Sequence, residues 1–465
     1  MLKKFYLFFL IFCLITFISS QNLNKELIED IEKSLKITDR EQAIINALKK
    51  HQFKSIARDE NILRKHNKYF THEIKTGRIT DQKSTGRCWL YAMLNTIRPK
   101  VVKKLNMKEF KFSQTHLYFW DKMEKANFFL EKVINRSHLD IRSREFQRTL
   151  HYLIGDGGYW QNGADLVKKY GCVPQQVMPE VISTENSRQM VKNITYQLRT
   201  FAYFLRKMKK EGKSIEEIRK KKKKYLKIVY KMLVFHLGNP VKEFKFRYFI
   251  KEKDKDGNEK KKLTPYKTYT PQSFYKNFVK EDLDDFVMFS NWPARDYYKL
   301  YHCKSSNNLI DGTPLNFINL PMNKIKEMMK NSILGNDPVN FSADVKKQHD
   351  TKIGIMEANL FQYEKVYGVP FNFDKKVNTV MKNINSTHAM VILGLDLDGD
   401  KVIKWKVENS WGDDKGDKGI CFMYDNWVDL YVVRVVIKKK YIPKEILELT
   451  KQKPIIIPED EPEQY

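Results

Sequence analysis

An α+β fold is predicted for this chain of 465 residues, on two observations. Residues 22–66 and 184–238 carry apolar positions at helical spacing among charged ones. From His388 onward the pattern changes to that of strands, two of them joined by the turn Asp398–Gly399. Helices first and an antiparallel sheet last is the order of an α+β protein. With 42% hydrophobic residues, 29 Phe and 24 Tyr, the chain can build a sizeable core and is not a solvated coil.

The elements follow in order. Thr38 and Asp39 ahead of Glu41 mark a helix start. The polar segment "FTHEIKTGRITDQKSTGR" then feeds "CWLYAMLNTIRPKVVKKL", where Trp89, Ala92, Met93 and Thr96 repeat near helical period. Pro99 is expected to end or kink that helix, and Cys88 stands at or just before its N-terminus. Residues 113–134 predict a long, aromatic-rich amphipathic helix that packs in the core. "GDGGYWQNG", residues 155–163, lacks phosphate-loop spacing; its glycines either permit a tight backbone near a cleft or serve turns alone. Residues 251–262 form a hydrophilic turn between two strands, and 284–293, 314–321 and 337–345 are short strands. "MNKIKEMMKNSILG" is a helix ending at Gly335, and "KGICFMY" and "LYVVRVVI" are the last strands.

The formal net charge is +29, which attracts nucleic acid, membranes and acidic partners alike. The lysines are scattered, however, and no zinc-finger spacing, RNP-like strand or basic helix leading into heptads is present. The one dense run, Arg219 to Lys224, reads as a solvated helix face or loop, with a polyanion-binding patch as the alternative. Lys3 and Lys4 precede an apolar run over residues 5–20, which reads as a cleaved secretory signal, an uncleaved anchor being the alternative. No later stretch is apolar enough to span a bilayer. Beyond the signal, Cys88, Cys172, Cys303 and Cys421 are too few and too dispersed for a disulfide scaffold. If Cys88 stays free, the others form at most one bridge. Secretion would make Asn135, Asn193, Asn340 and Asn385 glycan acceptors. No metal or cofactor is expected: HExxH is absent, and "DLDGDK" reads as a hairpin turn rather than a calcium loop.

The chemistry rests on four residues. A thiolate is a strong nucleophile when a helix N-terminus and an imidazolium lower its pKa. Cys88 has the helix end. Among ten histidines, His51 and His66 lie in charged stretches, and His151 and His236 read as core residues. His388 begins an apolar strand, where it can project into a cleft from a rigid element. Across the Asp398–Gly399 hairpin, "ENSWG" brings Asn409 to the same end, able to accept from the His388 ring N–H, with Trp411 as a shield. Gln82, six residues before Cys88, can donate to an oxyanion together with the Cys88 backbone N–H.

"QKSTGRCWLYA", "THAM" and "ENSWG" resemble a papain-like cysteine peptidase. "GRCW", "SQTHLYFWDKMEKANFFL", "DGGYW", "LVKKYGCVP" and "FSADV" narrow the resemblance to the bleomycin hydrolase family of aminopeptidases, over about residues 55–442. The resemblance implies a two-lobed fold, a helical lobe plus an antiparallel sheet or barrel lobe, with large insertions. It assigns Cys88 as nucleophile, His388 as base, Asn409 as its orienting partner and Gln82 to the oxyanion hole. It further implies peptide substrates, a homohexamer with its active sites facing an internal cavity, and nucleic-acid binding in some members. In the family the C-terminal arm lies in the cleft, and its terminal carboxylate holds the substrate amine. Here the end is "KPIIIPEDEPEQY", so Glu459, Asp460, Glu461, Glu463 and the terminus would have to attract that amine. Family members usually lack a signal, which sets a secreted or lysosome-like destination against a cytoplasmic one.

The expected organisation is a signal over 1–20, a helical extension over 21–60, the peptidase domain over 61–445 with inserted segments at about 185–335, and an acidic tail over 446–465. Removal of N-terminal residues from peptides is the expected function. An endopeptidase or broad peptidase, and a polyanion-binding or assembly protein with an idle site, are the alternatives.

Overall fold

The computed structural model describes residues 22–107, 110–151, 153–253, 259–371 and 374–459. The expected signal, the turn residues 254–258 and the tail carboxylates after Glu459 lie outside the described residues. Helices α1 (Lys25–Ser34) and α2 (Asp39–Leu48) open the chain, and Thr38 caps α2 reciprocally with Glu41. Next come α3 (Cys88–Lys104), α4 (Gln114–Asn135) and α5 (Trp160–Tyr170). A hairpin of two long helices follows, α6 (Arg188–Lys210) and α7 (Ile215–Leu237). Gly212 between them takes φ +76°, a conformation that a residue with a Cβ rarely adopts. α8 (Met322–Leu334) packs against the sheet.

That sheet has twelve strands. Its main members are β1 (Phe286–Ser290), β2 (Lys299–Cys303), β3 (Asn316–Asn319), β4 (Val339–Ala343), β5 (His388–Asp398), β6 (Lys401–Glu408), β7 (Ile420–Tyr424), β8 (Val432–Lys438) and β9 (Ile455–Ile457). The spatial order β7-β6-β5-β4-β8-β1-β3-β2-β9 puts β5 inside the sheet, between β6 and β4. Most pairings are antiparallel, as expected. The β1–β3 and β2–β9 pairs are parallel, and so is that between Ile355–Met356 and β7. β1 to β3, within the stretch expected to be inserted, belong to this main sheet.

Two cores result. Phe119, Leu130, Leu198, Leu205, Val229 and Leu233 belong to a helical core. Phe341, Val391, Leu393, Trp405, Trp427 and Val435 belong to a core built on the sheet. α3 runs between them: Leu90, Met93, Leu94 and Ile97 pack in the first, and Ala92 in the second. This two-sided burial explains why α3 continues through Pro99 to Lys104 rather than ending there, the first of the two outcomes expected. Proline removes one backbone hydrogen bond, but the residues from Trp89 to Pro99 are all buried, and their packing offsets the loss.

Some other expectations change and some do not. "LYVVRVVI" is not all strand, because the helix Asp425–Tyr431 precedes β8. His151 is exposed, and His236 is half-buried with Ser183 at 2.9 Å. The core histidines are His116 and His349. Asn340 is buried on β4, where no glycan fits, whereas Asn135 and Asn193 are exposed. The basic run lies on α7, and two of its cations, Arg219 and Lys222, pair with Glu131. Cys88, Cys172, Cys303 and Cys421 are all free thiols. No helix among the described residues is long and apolar enough to cross a membrane.

Arg98 on α3 and Glu408 at the end of β6 form a fully buried ion pair at 2.8 Å. It ties the two cores together one residue before Asn409. Removing one partner strands a buried charge. Glu408→Ala is therefore expected to lose about 3–5 kcal/mol in urea unfolding, and a loss under about 1 kcal/mol would contradict the role given to the pair.

Candidate active site

The segment before Cys88 is stitched to the segment after β6. Gln82 N–H donates to the Ser410 carbonyl at 2.8 Å, and Gly412 N–H to the Thr80 carbonyl at 3.2 Å. Ser410 Oγ donates to Gln82 Oε1 at 2.7 Å, and Tyr91 Oη to the Asp81 carbonyl at 3.1 Å. The expected neighbours are thus brought together from opposite ends of the chain. Gln82 differs from expectation in one respect. Its Nε2 donates to the Thr85 carbonyl at 2.6 Å, so only its second amide hydrogen remains for a ligand.

Cys88 is the first residue of α3 and lines a cavity of about 700 Å³ between the two cores. His388, Ala389, Trp89, Gly157, Gly158 and Arg434 line the same cavity. His388 is the first residue of β5, opposite Ala343 of β4. Its Nε2 lies 2.8 Å from Asn409 Oδ1, which also accepts the Ser410 N–H at 2.7 Å. The hydrogen on Nε2 leaves Nδ1 for the cleft. The Trp411 ring lies over this pair, with centroids 4.6 Å from the His388 ring.

The electrostatics oppose isolated charges and favour a pair. Burial pushes the Cys88 thiol up, against the backbone N–H groups of Ala389, Trp89 and Cys88, which stabilise a thiolate. Burial pushes His388 down to about 4, while the Asn409 hydrogen bond pulls it back up. A proton moved from sulfur to imidazole would leave both charges in the one cavity, each beside its own hydrogen-bond partners.

The glycine-rich segment forms the facing wall and shows why its residues are small. A Cβ on Gly158 would come within 2.7 Å of the Trp89 ring, and one on Gly86 within 2.9 Å of Asp156 Cβ. In the segment Gly158 and Gly163 therefore allow a close approach to α3, whereas a Cβ on Gly157 would meet nothing. Sequence reasoning missed what holds this wall. Lys125 Nζ donates to the carbonyls of Gly155 and Gly157 at 2.8 and 2.7 Å, and Lys122 Nζ to those of Ile154 and Gly155 at 2.9 and 2.8 Å. Asp156 accepts from Gly86 N–H at 3.2 Å and from Tyr118 Oη at 2.6 Å, and pairs with Lys122 at 3.0 Å. Burial raises the Asp156 carboxyl, but Lys122 and the hydroxyls of Ser187 and Tyr118 outweigh it and hold the group well below the usual carboxylate range. Burial brings Lys125 down to about 8, against the pull of Asp121. The spacing of Lys122 and Lys125 on an otherwise core-facing helix was the available signal.

The expected amine-holding tail is only partly described. β9 is fixed along β2, and Glu459 then pairs with Lys132 at 2.8 Å and Arg136 at 2.6 Å, so Glu459 is not free for a substrate amine. Among the described residues no cluster of acidic, His or Cys side chains could hold a metal ion.

Comparison with known proteins gives a consistent picture. A profile of the Peptidase C1-like family matches residues 22–462. Aminopeptidase C of Lactobacillus delbrueckii subsp. lactis is 36% identical over 379 residues, covering 81% of this chain and 83% of that protein. Bleomycin hydrolase of Rattus norvegicus is 35% identical over 396 residues, covering 83% and 85%. The crystal structure of PepW from Lactobacillus rhamnosis HN001 superposes with a TM-score of 0.88 at 32% identity, covering 95% of this chain and 98% of that one.

Cys88 opens onto the cleft, whereas Cys172, Cys303 and Cys421 are buried. Brief treatment of the folded protein with iodoacetamide, followed by peptide mass spectrometry, is expected to label Cys88 well ahead of the other three. Equal labelling of Cys421 would contradict the packing described.

Proposed function

We propose that this chain, which belongs to the Peptidase C1-like family and within it to the papain-like cysteine aminopeptidases of the bleomycin hydrolase group, carries its chemistry on Cys88, His388, Asn409 and Gln82. Its activity is thiol-dependent hydrolysis that removes N-terminal residues from peptides. The residue roles rest on one observation above the rest. His388 is held by Asn409 at 2.8 Å through Nε2, in the cleft where the Cys88 sulfur meets the Ala389 N–H.

The steps follow from that geometry. His388 Nδ1 takes the Cys88 proton, and the thiolate attacks the carbonyl carbon of the first peptide bond. The carbonyl oxygen becomes an oxyanion, for which the backbone N–H of Cys88 and the second Nε2 hydrogen of Gln82 are the donors. One such donor contributes about 3–4 kcal/mol to transition-state stabilisation. His388 returns the proton to the leaving amine as the C–N bond breaks, leaving a thioester on Cys88. Water then attacks the thioester, giving its proton to His388, and the released thiolate completes the cycle.

Restriction to free amino termini needs an anion in the cleft. Support comes from the path of the tail. Glu459 is anchored on α4 at Lys132, about 10 Å along the helix from Lys125 in the cleft wall. With Glu459 engaged, Asp460, Glu461, Glu463 and the chain-terminal carboxylate are left to meet a substrate ammonium. A secretory destination, with glycans at exposed acceptors, is supported by the basic start and apolar run of residues 1–20 alone. A homohexamer, and weak polyanion binding by the excess of lysine, rest on the family resemblance and the charge.

Two fluorogenic peptides that differ only in N-terminal acetylation test this reading, with Cys88→Ala as control. The free peptide is expected to be cleaved, the acetylated one left intact, and the variant inactive with its fold unchanged. Cleavage of both peptides would make the chain a broad peptidase, and turnover by the variant would remove Cys88 from the mechanism.

A further inference from the structure

A second thiol–imidazole pair lies behind Asn409, and the acyl-transfer steps make no use of it. Cys421 on β7 and His349, in the short strand His349–Asp350, are both buried, with Sγ and Nε2 3.9 Å apart. Cys421 is fixed beside Asn409 by the sheet, because Val407 pairs with Cys421 and Asn409 N–H donates to the Gly419 carbonyl at 3.1 Å. His349 Nδ1 lies 2.8 Å from the Val345 carbonyl. A carbonyl only accepts, so Nδ1 carries the hydrogen and Nε2 presents a lone pair to the Cys421 thiol.

This pair answers a question that the Asn409 carboxamide raises. Its two ends have nearly the same shape, yet only the oxygen can accept from His388. Oδ1 takes two hydrogens, from His388 and from the Ser410 backbone. Nδ2 is buried and makes no hydrogen bond to oxygen, nitrogen or sulfur. The polar group that the Asn409 side chain faces there is the Cys421 sulfur. With the Cys421 S–H turned to His349, the sulfur shows Nδ2 a lone pair rather than a hydrogen, a favourable polarity short of a hydrogen bond. Without His349 the S–H can turn to Nδ2 and set donor against donor.

We propose that His349 and Cys421 are positioning residues that lock the Asn409 carboxamide with its oxygen on His388; this rests on the roles proposed above for Cys88, His388 and Asn409. The pair acts by hydrogen-bond polarity and not by charge. Burial pushes His349 down to about 4 and Cys421 up to about 12, so both stay neutral across the working range. The charged or titratable groups facing His349 are Lys54, whose Nζ reaches the His349 carbonyl at 3.3 Å, Asp350 beside it, and His388.

The test measures kcat, KM and the pH profile of kcat/KM for the full chain carrying Cys421→Val, Cys421→Ser or His349→Phe, each also combined with Asn409→Ala. Valine and phenylalanine keep the volume but remove the polarity. Both are expected to lower kcat about tenfold with KM little changed. Both should also move the alkaline limb to lower pH, because a less well-held His388 loses its proton sooner. Serine can donate to His349 and accept from Asn409, and should restore both kcat and the limb. In the Asn409→Ala background, Cys421→Val should cost nothing further, since the amide it positions is gone. If Cys421→Val and His349→Phe lower the melting temperature but leave kcat and the pH limb unchanged, the proposal is overturned. Additive losses in the Asn409→Ala background overturn it as well. Full activity of Asn409→Ala alone, or of Cys88→Ala, would instead strike at the catalytic roles on which it rests.

Discussion

The Asp156 carboxylate is where the parts of this active site are joined. It accepts from Gly86 two residues before the nucleophile, from Tyr118 on α4 and from Ser187 at the entry to the α6–α7 hairpin, and it pairs with Lys122. Its backbone carbonyl accepts from Trp89 Nε1 at 2.7 Å, one residue after the nucleophile. A loop at a cleft cannot hide its carbonyls in a helix or sheet, and unpaired polar groups there are costly. Lys122 and Lys125 solve that problem for residues 154–157 and bring positive charge with them, which Asp121 and Asp156 balance. Cys88 is thus set on a helix end whose flanks are fixed from both sides.

The other half of the site depends on register. β5 and β6 form one hairpin, so His388 and the residues just after Glu408 must meet at its open end. The Arg98–Glu408 pair then fixes that end against α3. The geometry of the cleft is held by elements with no freedom to slip: a buried helix, an interior strand and a charge pair fully removed from water.

These causes decide what the sequence could reveal. The meeting of Cys88, His388, Asn409 and Gln82 around one cleft was legible because each sits beside a local signal: a helix start, a strand start, a hairpin and a polar loop. The long helices and most strands were legible for the same reason. Asp156, Lys122 and Lys125 were passed over: in a chain with 85 Lys and Arg two lysines look like any solvated pair, and only their spacing on a core-facing helix set them apart. Pro99 misled because propensity is local, whereas the burial that overrides it comes from both cores. The parallel pairings of β3 and β9 join segments far apart in sequence, and no short-range pattern encodes them. His349 and Cys421 looked unremarkable, 72 positions apart, until the sheet placed one beside the other.

The central claim is that Cys88 becomes nucleophilic because His388, held by Asn409, takes its proton. The most direct test is the pH dependence of Cys88 alkylation in the wild type and in His388→Ala. The account predicts reactivity in the wild type well below the ordinary thiol range. In the variant it predicts a single limb displaced to higher pH, because burial alone pushes that thiol up. Superimposable profiles would contradict it, and would mean that the helix end and the backbone N–H groups activate the sulfur without the histidine.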